Sequence, residues 1–278
     1  MNKESYQNMT ISASIWQDVC RIRQTNPLVL NLTNQVVTNI TANALLALGA
    51  SPLMSASPEE QEDLLELASA LVLNIGTLNQ DQIELMFQAG KAAKAKQVPI
   101  VLDPVGAGAS GLRTRIALEL LENLHPEIIR GNGSEILALA GSTGTSKGVD
   151  SQNTSFQALT GAKALSRAYD CAIAISGPVD LITDGTREWR IGNGHPLMTR
   201  VTGMGCTATA LIGAFAAVNP DPFPAAMHGL ALTGICGELA ASQAHGPGSF
   251  QVAFLDRLHL LKQADVSGAV QISDASST

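Results

Sequence analysis

ALVLNIGTLNQDQIELMFQAGKAAKAKQVPIVLD, residues 70–103, is the stretch on which the fold turns. It opens on an apolar run, Ala70 to Ile75, continues as a helix from about Gln80 to Lys96, and returns to a second apolar run, Val98 to Asp103. Apolar runs without polar alternation are strands buried on both faces. Joined by a helix, they belong to a mostly parallel sheet.

The same alternation extends both ways. Upstream, residues 12–25 read as a helix that Ser14 caps and Pro27 ends, followed by strand 28–32 and helix 38–48, closed by Gly49. Ser57-Pro58-Glu59-Glu60 reads as a capping box opening a helix that runs to about Ala68. Downstream come a helix near 112–124, a strand at 127–131 and helices at 134–140 and 152–168. A strand at 171–176 then leads to a hairpin, 181–183 and 188–191, turning at Asp184-Gly185 at a sheet edge. Helices of about 205–218, 223–243 and 250–263 complete the chain, and residues 265–278 read as a frayed polar tail. With no linker and no internal repeat, the expectation is one α/β domain with helices on both faces of the sheet.

Composition narrows the function. In 278 residues, 45% are hydrophobic and 15% charged, which excludes a disordered chain. Lys and Arg number 17 against 24 Asp and Glu, giving a net charge of −7, so neither a nucleic-acid nor an anionic-membrane surface is expected. The cysteines Cys20, Cys171, Cys206 and Cys236 form no CxxC and no Cys/His cluster, against a zinc site and in favour of a reducing compartment. The N-terminus lacks the apolar segment of a signal peptide. The longest apolar stretch, Ala210 to Val218, is too short for a membrane span. A cytoplasmic protein is expected.

Ligands of open α/β sheets bind beyond the carboxyl ends of the strands. There the sequence places Thr33-Asn34-Gln35, Asp103-Pro104-Val105-Gly106, Asn132-Gly133-Ser134-Glu135 and Ser176-Gly177. Each taken alone also reads as an ordinary turn. Gly106-Ala-Gly108-Ala-Ser-Gly111 matches the dinucleotide fingerprint, but Asp103-Pro104 stands between strand and glycines, and no acid ends the next strand. No GxxxxGK[ST] is present. Thr202-Gly203-Met204-Gly205-Cys206 runs into a helix of small residues. It reads equally as an anion hole of backbone amides with a thiol of lowered pKa, or as a tight turn beside an inert cysteine. Asp103 and Glu135 suit Mg²⁺, and equally a turn and a helix start. Arg130 suits a phosphate, or solvent. The five histidines have no metal spacing.

Six segments together carry a resemblance. Asn31-Leu-Thr-Asn34, Asn39-x-x-Ala42-Asn43, Gly49-Ala-Ser-Pro-x-Met54, Asp103-Pro-Val-Gly106, Arg130-Gly-Asn132-x-x-Glu135 and Thr202-Gly-x-Gly-Cys206 resemble the hydroxyethylthiazole kinases, in one order from about residue 15 to 260. The resemblance implies a ribokinase-like fold and ATP- and Mg²⁺-dependent phosphorylation of 4-methyl-5-(2-hydroxyethyl)thiazole for thiamine synthesis or salvage. It also implies a homotrimer with active sites at the subunit interfaces. It places Met54 and Gly203 at the thiazole, Arg130 and Ser176 at ATP, and Asp103 and Glu135 at Mg²⁺. Gly203, Met204, Gly205 and Cys206 form the anion hole, and Cys206 stands where related sugar and vitamin kinases carry a catalytic Asp. The rivals are another ribokinase-like enzyme (a hydroxymethylpyrimidine kinase or an ATP-dependent hydrate dehydratase), a nicotinamide-dependent oxidoreductase built on the Gly106–Gly111 loop, and a non-catalytic thiazole or thiamine binder.

Overall fold

The computed structural model describes residues 3–142 and 154–275. In chain order the elements are α1 (Lys3–Thr25), β1 (Leu28–Leu32), α2 (Thr38–Leu48), β2 (Ser51–Met54), α3 (Gln61–Leu67), β3 (Ala70–Asn74), α4 (Gln80–Ala95), β4 (Ile100–Asp103), α5 (Gly111–Leu124) and β5 (Ile128–Asn132). Then follow α6 (Gly133–Ser142), α7 (Thr154–Tyr169), β6 (Ala172–Ser176), β7 (Asp180–Thr183), β8 (Glu188–Ile191), α8 (Met204–Ala216), α9 (Pro222–Ala241), α10 (Pro247–Leu260), α11 (Gln263–Ala269) and β9 (Ile272–Asp274). The sheet order is β2-β1-β3-β4-β5-β6-β7-β8-β9. From β2 to β6 neighbours run parallel, and β7, β8 and β9 add antiparallel pairs.

Strand alternation divides the interior into two cores. Val29, Val72, Val101 and Ile128 join the core under α1, α2, α8, α9 and α10. Leu30, Leu71, Leu73, Ile100, Leu102 and Ile129 join the core under α3 to α7. Every position of β3 and β4 is buried, hence the continuous apolar runs of residues 70–103. A buried polar cluster ties α1 to the end of α8 and to α9. Asp18 Oδ2 lies 2.7 Å from His228 Nδ1 and accepts from Asn219 Nδ2 at 2.8 Å. Asp18 and His228 are both buried. Removing one member of such a pair typically costs about 3–5 kcal/mol.

Several expectations need correction. α1 begins at Lys3, so Ser14 is an interior helical residue and not a cap. Pro58–Glu60 forms a 3₁₀ turn before α3, and Ser57 makes no side-chain cap. Ser55 instead bonds Glu60 and Gln61. The helix expected over 250–263 spans Pro247–Leu260. The tail expected from 265 is ordered through α11 and β9. Val266 and Ile272 are 0% and 2% exposed, and these two anchors are hidden among small and polar neighbours in the sequence. β9 pairs with β8, so the β7–β8 hairpin forms but is not the sheet edge. Residues 152 and 153 of the helix expected at 152–168 lie outside the described residues. Among the described residues, no helix is long and apolar enough to cross a membrane.

Candidate active site

The parallel strands deliver polar side chains to one edge in register. Asn74 ends β3 opposite Asp103, the last residue of β4. Asn132 ends β5 opposite Ser176, the last residue of β6. Asn74 Nδ2 donates to Asp103 Oδ2 at 2.8 Å, and Asn34 Nδ2 donates to Asn74 Oδ1 at 2.8 Å and to Cys206 Sγ at 3.5 Å. Backbone amides set both carboxamide orientations: Gly76 N–H donates to Asn74 Oδ1 and Val36 N–H to Asn34 Oδ1. Thr209 Oγ1 closes the chain on Asp103 Oδ2 at 2.8 Å. A polar relay thus runs from Cys206 through Asn34 and Asn74 to Asp103.

α8 begins at this edge. Gly203 has φ +86°, and a Cβ there would lie 2.7 Å from Val37 Cγ1, so both backbone and space require glycine. The first helical bond is Thr207 N–H to the Gly203 carbonyl, at 2.8 Å. The amides of Met204, Gly205 and Cys206 are left without a helical acceptor, at the positive end of the helix. Gly205 has a second role: a Cβ on it would lie 2.7 Å from an Arg130 guanidinium nitrogen. Arg130 therefore lies flat against the turn. Its Nη2 donates to Ser176 Oγ at 2.6 Å, and its Nη1 lies 3.9 Å from Asp103 Oδ2.

Two of these groups are incompletely used. Asp103 Oδ1 and Arg130 Nε are buried without a hydrogen-bond partner. Among the described residues such orphaned atoms are few. Four of them, on Asn31, Asp103, Arg130 and Thr207, belong to β1, β4 and β5 or to the first turn of α8. Buried polar groups are normally bonded, so this concentration marks a site that takes a polar ligand. Burial pushes the Asp103 carboxyl up to about 6, against the opposing pull of Arg130, Thr209 and Asn74.

Cys206 corrects an expectation. Burial, with the nearby Asp103 charge, raises its thiol pKa against the opposing bonds from Asn74 and Asn34 and the Arg130 charge. Glu135 is more structural than its residue type implied. Its Oε1 accepts Gly106 N–H and its Oε2 accepts Asn132 N–H, both at 2.8 Å, pinning the β4–α5 loop to the start of α6. That loop holds the dinucleotide-like glycines. Arg113 braces it through the carbonyls of Ile75, Gly76 and Val105, which makes it a supporting wall.

A cavity of about 570 Å³ opens on the Arg130 side of the turn. Ser176, Gly205, Asp180, His195, Met198 and Thr233 are among its lining residues. Cys206 is not; its Sγ accepts from Asn34 Nδ2. Met54 ends β2, paired with Asn31, half-buried and apart from this cavity. The sequence reading missed Asn74, Thr209 and Asp180. Asn74 hid inside an apolar run, and its place as the last residue of a strand was its one signal. Asp180 accepts Gly177 N–H at 2.8 Å, and burial raises its carboxyl to about 6.

Residues 19–264 match the model of the hydroxyethylthiazole kinase family. A hydroxyethylthiazole kinase of Nitratidesulfovibrio vulgaris is 52% identical over 264 residues, covering 95% of this chain and 99% of the relative. One from Granulibacter bethesdensis is 54% identical over 250 residues, covering 90% and 91%. The solved structure of a hydroxyethylthiazole kinase protein from Pyrococcus horikoshii superposes with a TM-score of 0.89 at 40% identity, covering 95% of this chain and 99% of that one. A ribokinase-like superfamily protein from Enterococcus faecalis, 14% identical with a TM-score of 0.65, shares the fold. The fold is ribokinase-like, the chain is a phosphotransferase, and it belongs to the hydroxyethylthiazole kinase family.

Proposed function

We propose that the chain transfers the γ-phosphoryl group of ATP to the hydroxyl of 4-methyl-5-(2-hydroxyethyl)thiazole at the Gly203–Cys206 turn. The observation that carries this reading is the junction itself: free helix-terminal amides, Arg130 and the unpartnered Asp103 Oδ1 meet between the 570 Å³ cavity and the Cys206 face. The nucleotide occupies the cavity, with Arg130 and Ser176 on its phosphates. The thiazole lies on the Cys206 side, with Gly203 and Met54. The alcohol oxygen forms the new P–O bond, the bond to the ADP oxygen breaks, and the alcohol proton is released. Phosphoryl transfer depends on positioning and charge neutralisation more than on a strong base. The turn amides and Arg130 supply donors aimed at the transferring group. Cys206, a thiol of raised pKa, stays protonated at neutral pH and serves as a hydrogen-bonding partner of the alcohol.

The residues fit Mg²⁺ in part. Asp103 Oδ1 is a buried oxygen without a donor, as a hard cation requires. Glu135 already serves two amides, so it joins through its remaining lone pairs or through water. When bound, Mg²⁺ neutralises phosphate oxygens. The assembly we propose is a cytoplasmic homotrimer. Its support is the sheet edge at β2, which carries Met54, the 65% exposed Val36, and four free cysteines. The test is turnover: the purified protein phosphorylates the thiazole alcohol with ATP only when a divalent cation is added. No product at saturating substrates would end this reading, and preference for a hydroxymethylpyrimidine would redirect it.

A further inference from the structure

We infer that the C-terminal segment Gln263–Asp274, acting through Asn193, positions the wall of the nucleotide cavity. Asn193 lines the cavity just after β8, yet it is only 5% exposed and its side chain points away into the C-terminal segment. Its Nδ2 donates to the Ala269 carbonyl at 2.7 Å and reaches the Glu238 carboxylate on α9 at 3.2 Å. Its Oδ1 accepts Gln271 N–H at 2.9 Å. The backbone on either side is tied in the same way: Gly192 N–H donates to the Gln271 carbonyl at 2.8 Å, and Gly194 N–H to Glu238 Oε1 at 2.9 Å.

α9 makes room for this arrangement. A Cβ on Gly234 would lie 2.7 Å from the Asn193 carbonyl oxygen, so only glycine lets the wall seat there. The segment has its own anchors. Val266 and Ile272 are buried in the core that also holds Ile191, and Ile272 pairs with Ile191 in register. No residue of 263–274 lines the cavity, so its influence on a ligand passes through Asn193 and its neighbours. The matching family model ends at residue 264, before most of this segment. The inference rests on the reading that the cavity holds ATP.

Asn193 is thus a positioning residue, and the test must separate positioning from mere folding. In Asn193→Ala, and in a chain lacking residues 271–278, the KM for ATP should rise about tenfold, as for a displaced wall, with kcat and the KM for the thiazole alcohol changing less than twofold. Equal changes in both KM values, or unchanged ATP affinity in a folded variant, would overturn the inference. Hydrogen exchange on the unaltered protein supplies a readout independent of variant folding. A non-hydrolysable ATP analogue should slow exchange across residues 263–274. Binding of the analogue without that protection refutes the clasp alone. Failure of the unaltered protein to bind the analogue refutes the nucleotide reading itself.

Discussion

Replacing Asp103 by Asn should make the protein more stable at alkaline pH while it loses activity. The carboxyl is fully buried, and burial lifts its pKa from an ordinary 3.8 to about 6 despite Arg130, Thr209 and Asn74. Below about pH 4 the group is protonated in both folded and unfolded chains and costs nothing. Above pH 6 it is ionised in both, and the folded state bears the difference. Two pKa units at 1.36 kcal/mol each is about 3 kcal/mol. Asn keeps an oxygen for the Asn74 and Thr209 donors but never ionises. At pH 8, in chelator and without nucleotide, the variant should melt roughly 5–10 °C above the parent, and the gap should close toward pH 4. Its kcat should fall at least about tenfold, since the lost charge acts mainly in the transition state. A variant less stable at pH 8, or a gap independent of pH, would refute the reasoning, and parental kcat would remove Asp103 from the reaction.

Gly205→Ala places a methyl 2.7 Å from the Arg130 guanidinium, so the KM for ATP should rise about tenfold or more in steady-state kinetics, with the fold intact by circular dichroism. Cys206→Ala should be slower but active, and Cys206→Asp should retain activity. A phosphorylated Cys206 seen by mass spectrometry during turnover would contradict the assistant role. Glu135→Gln sets an amide group against one of two backbone donors, so it should lose about 1–3 kcal/mol of stability in denaturant melts together with kcat. Light scattering should give a trimer mass, and a fully active monomer would contradict shared interface sites.

The parallel sheet was legible because β3 and β4 are buried on both faces, which forces uninterrupted apolar runs. The glycine turn was legible because Gly203 needs a positive φ and Gly205 needs the space that Arg130 fills. Asp103, Arg130 and Ser176 stood out as polar residues at strand ends, and the structure brings them together. Asn74 sat in the same kind of position but inside an apolar run, and its partners are 29 and 40 residues away in sequence, a register no local pattern reveals. The C-terminal clasp was missed for a related reason. Two buried side chains and pairing to β8 hold it, with no run long enough to read as helix or strand. The sequence left the Cys206 thiol open between two readings because helix position is visible in sequence and burial is not.

In the proposed reaction the phosphoryl group moves on the Gly203–Cys206 turn. A crystal structure with the thiazole alcohol, a non-hydrolysable ATP analogue and Mg²⁺ tests it most directly. The terminal phosphate should lie within hydrogen-bonding distance of the Met204, Gly205 and Cys206 amides, with Arg130 and Ser176 on the phosphate chain, the base in the 570 Å³ cavity, and the thiazole hydroxyl beside Cys206. A triphosphate seated instead on the Gly106–Gly111 loop, or a thiazole inside that cavity, would contradict it.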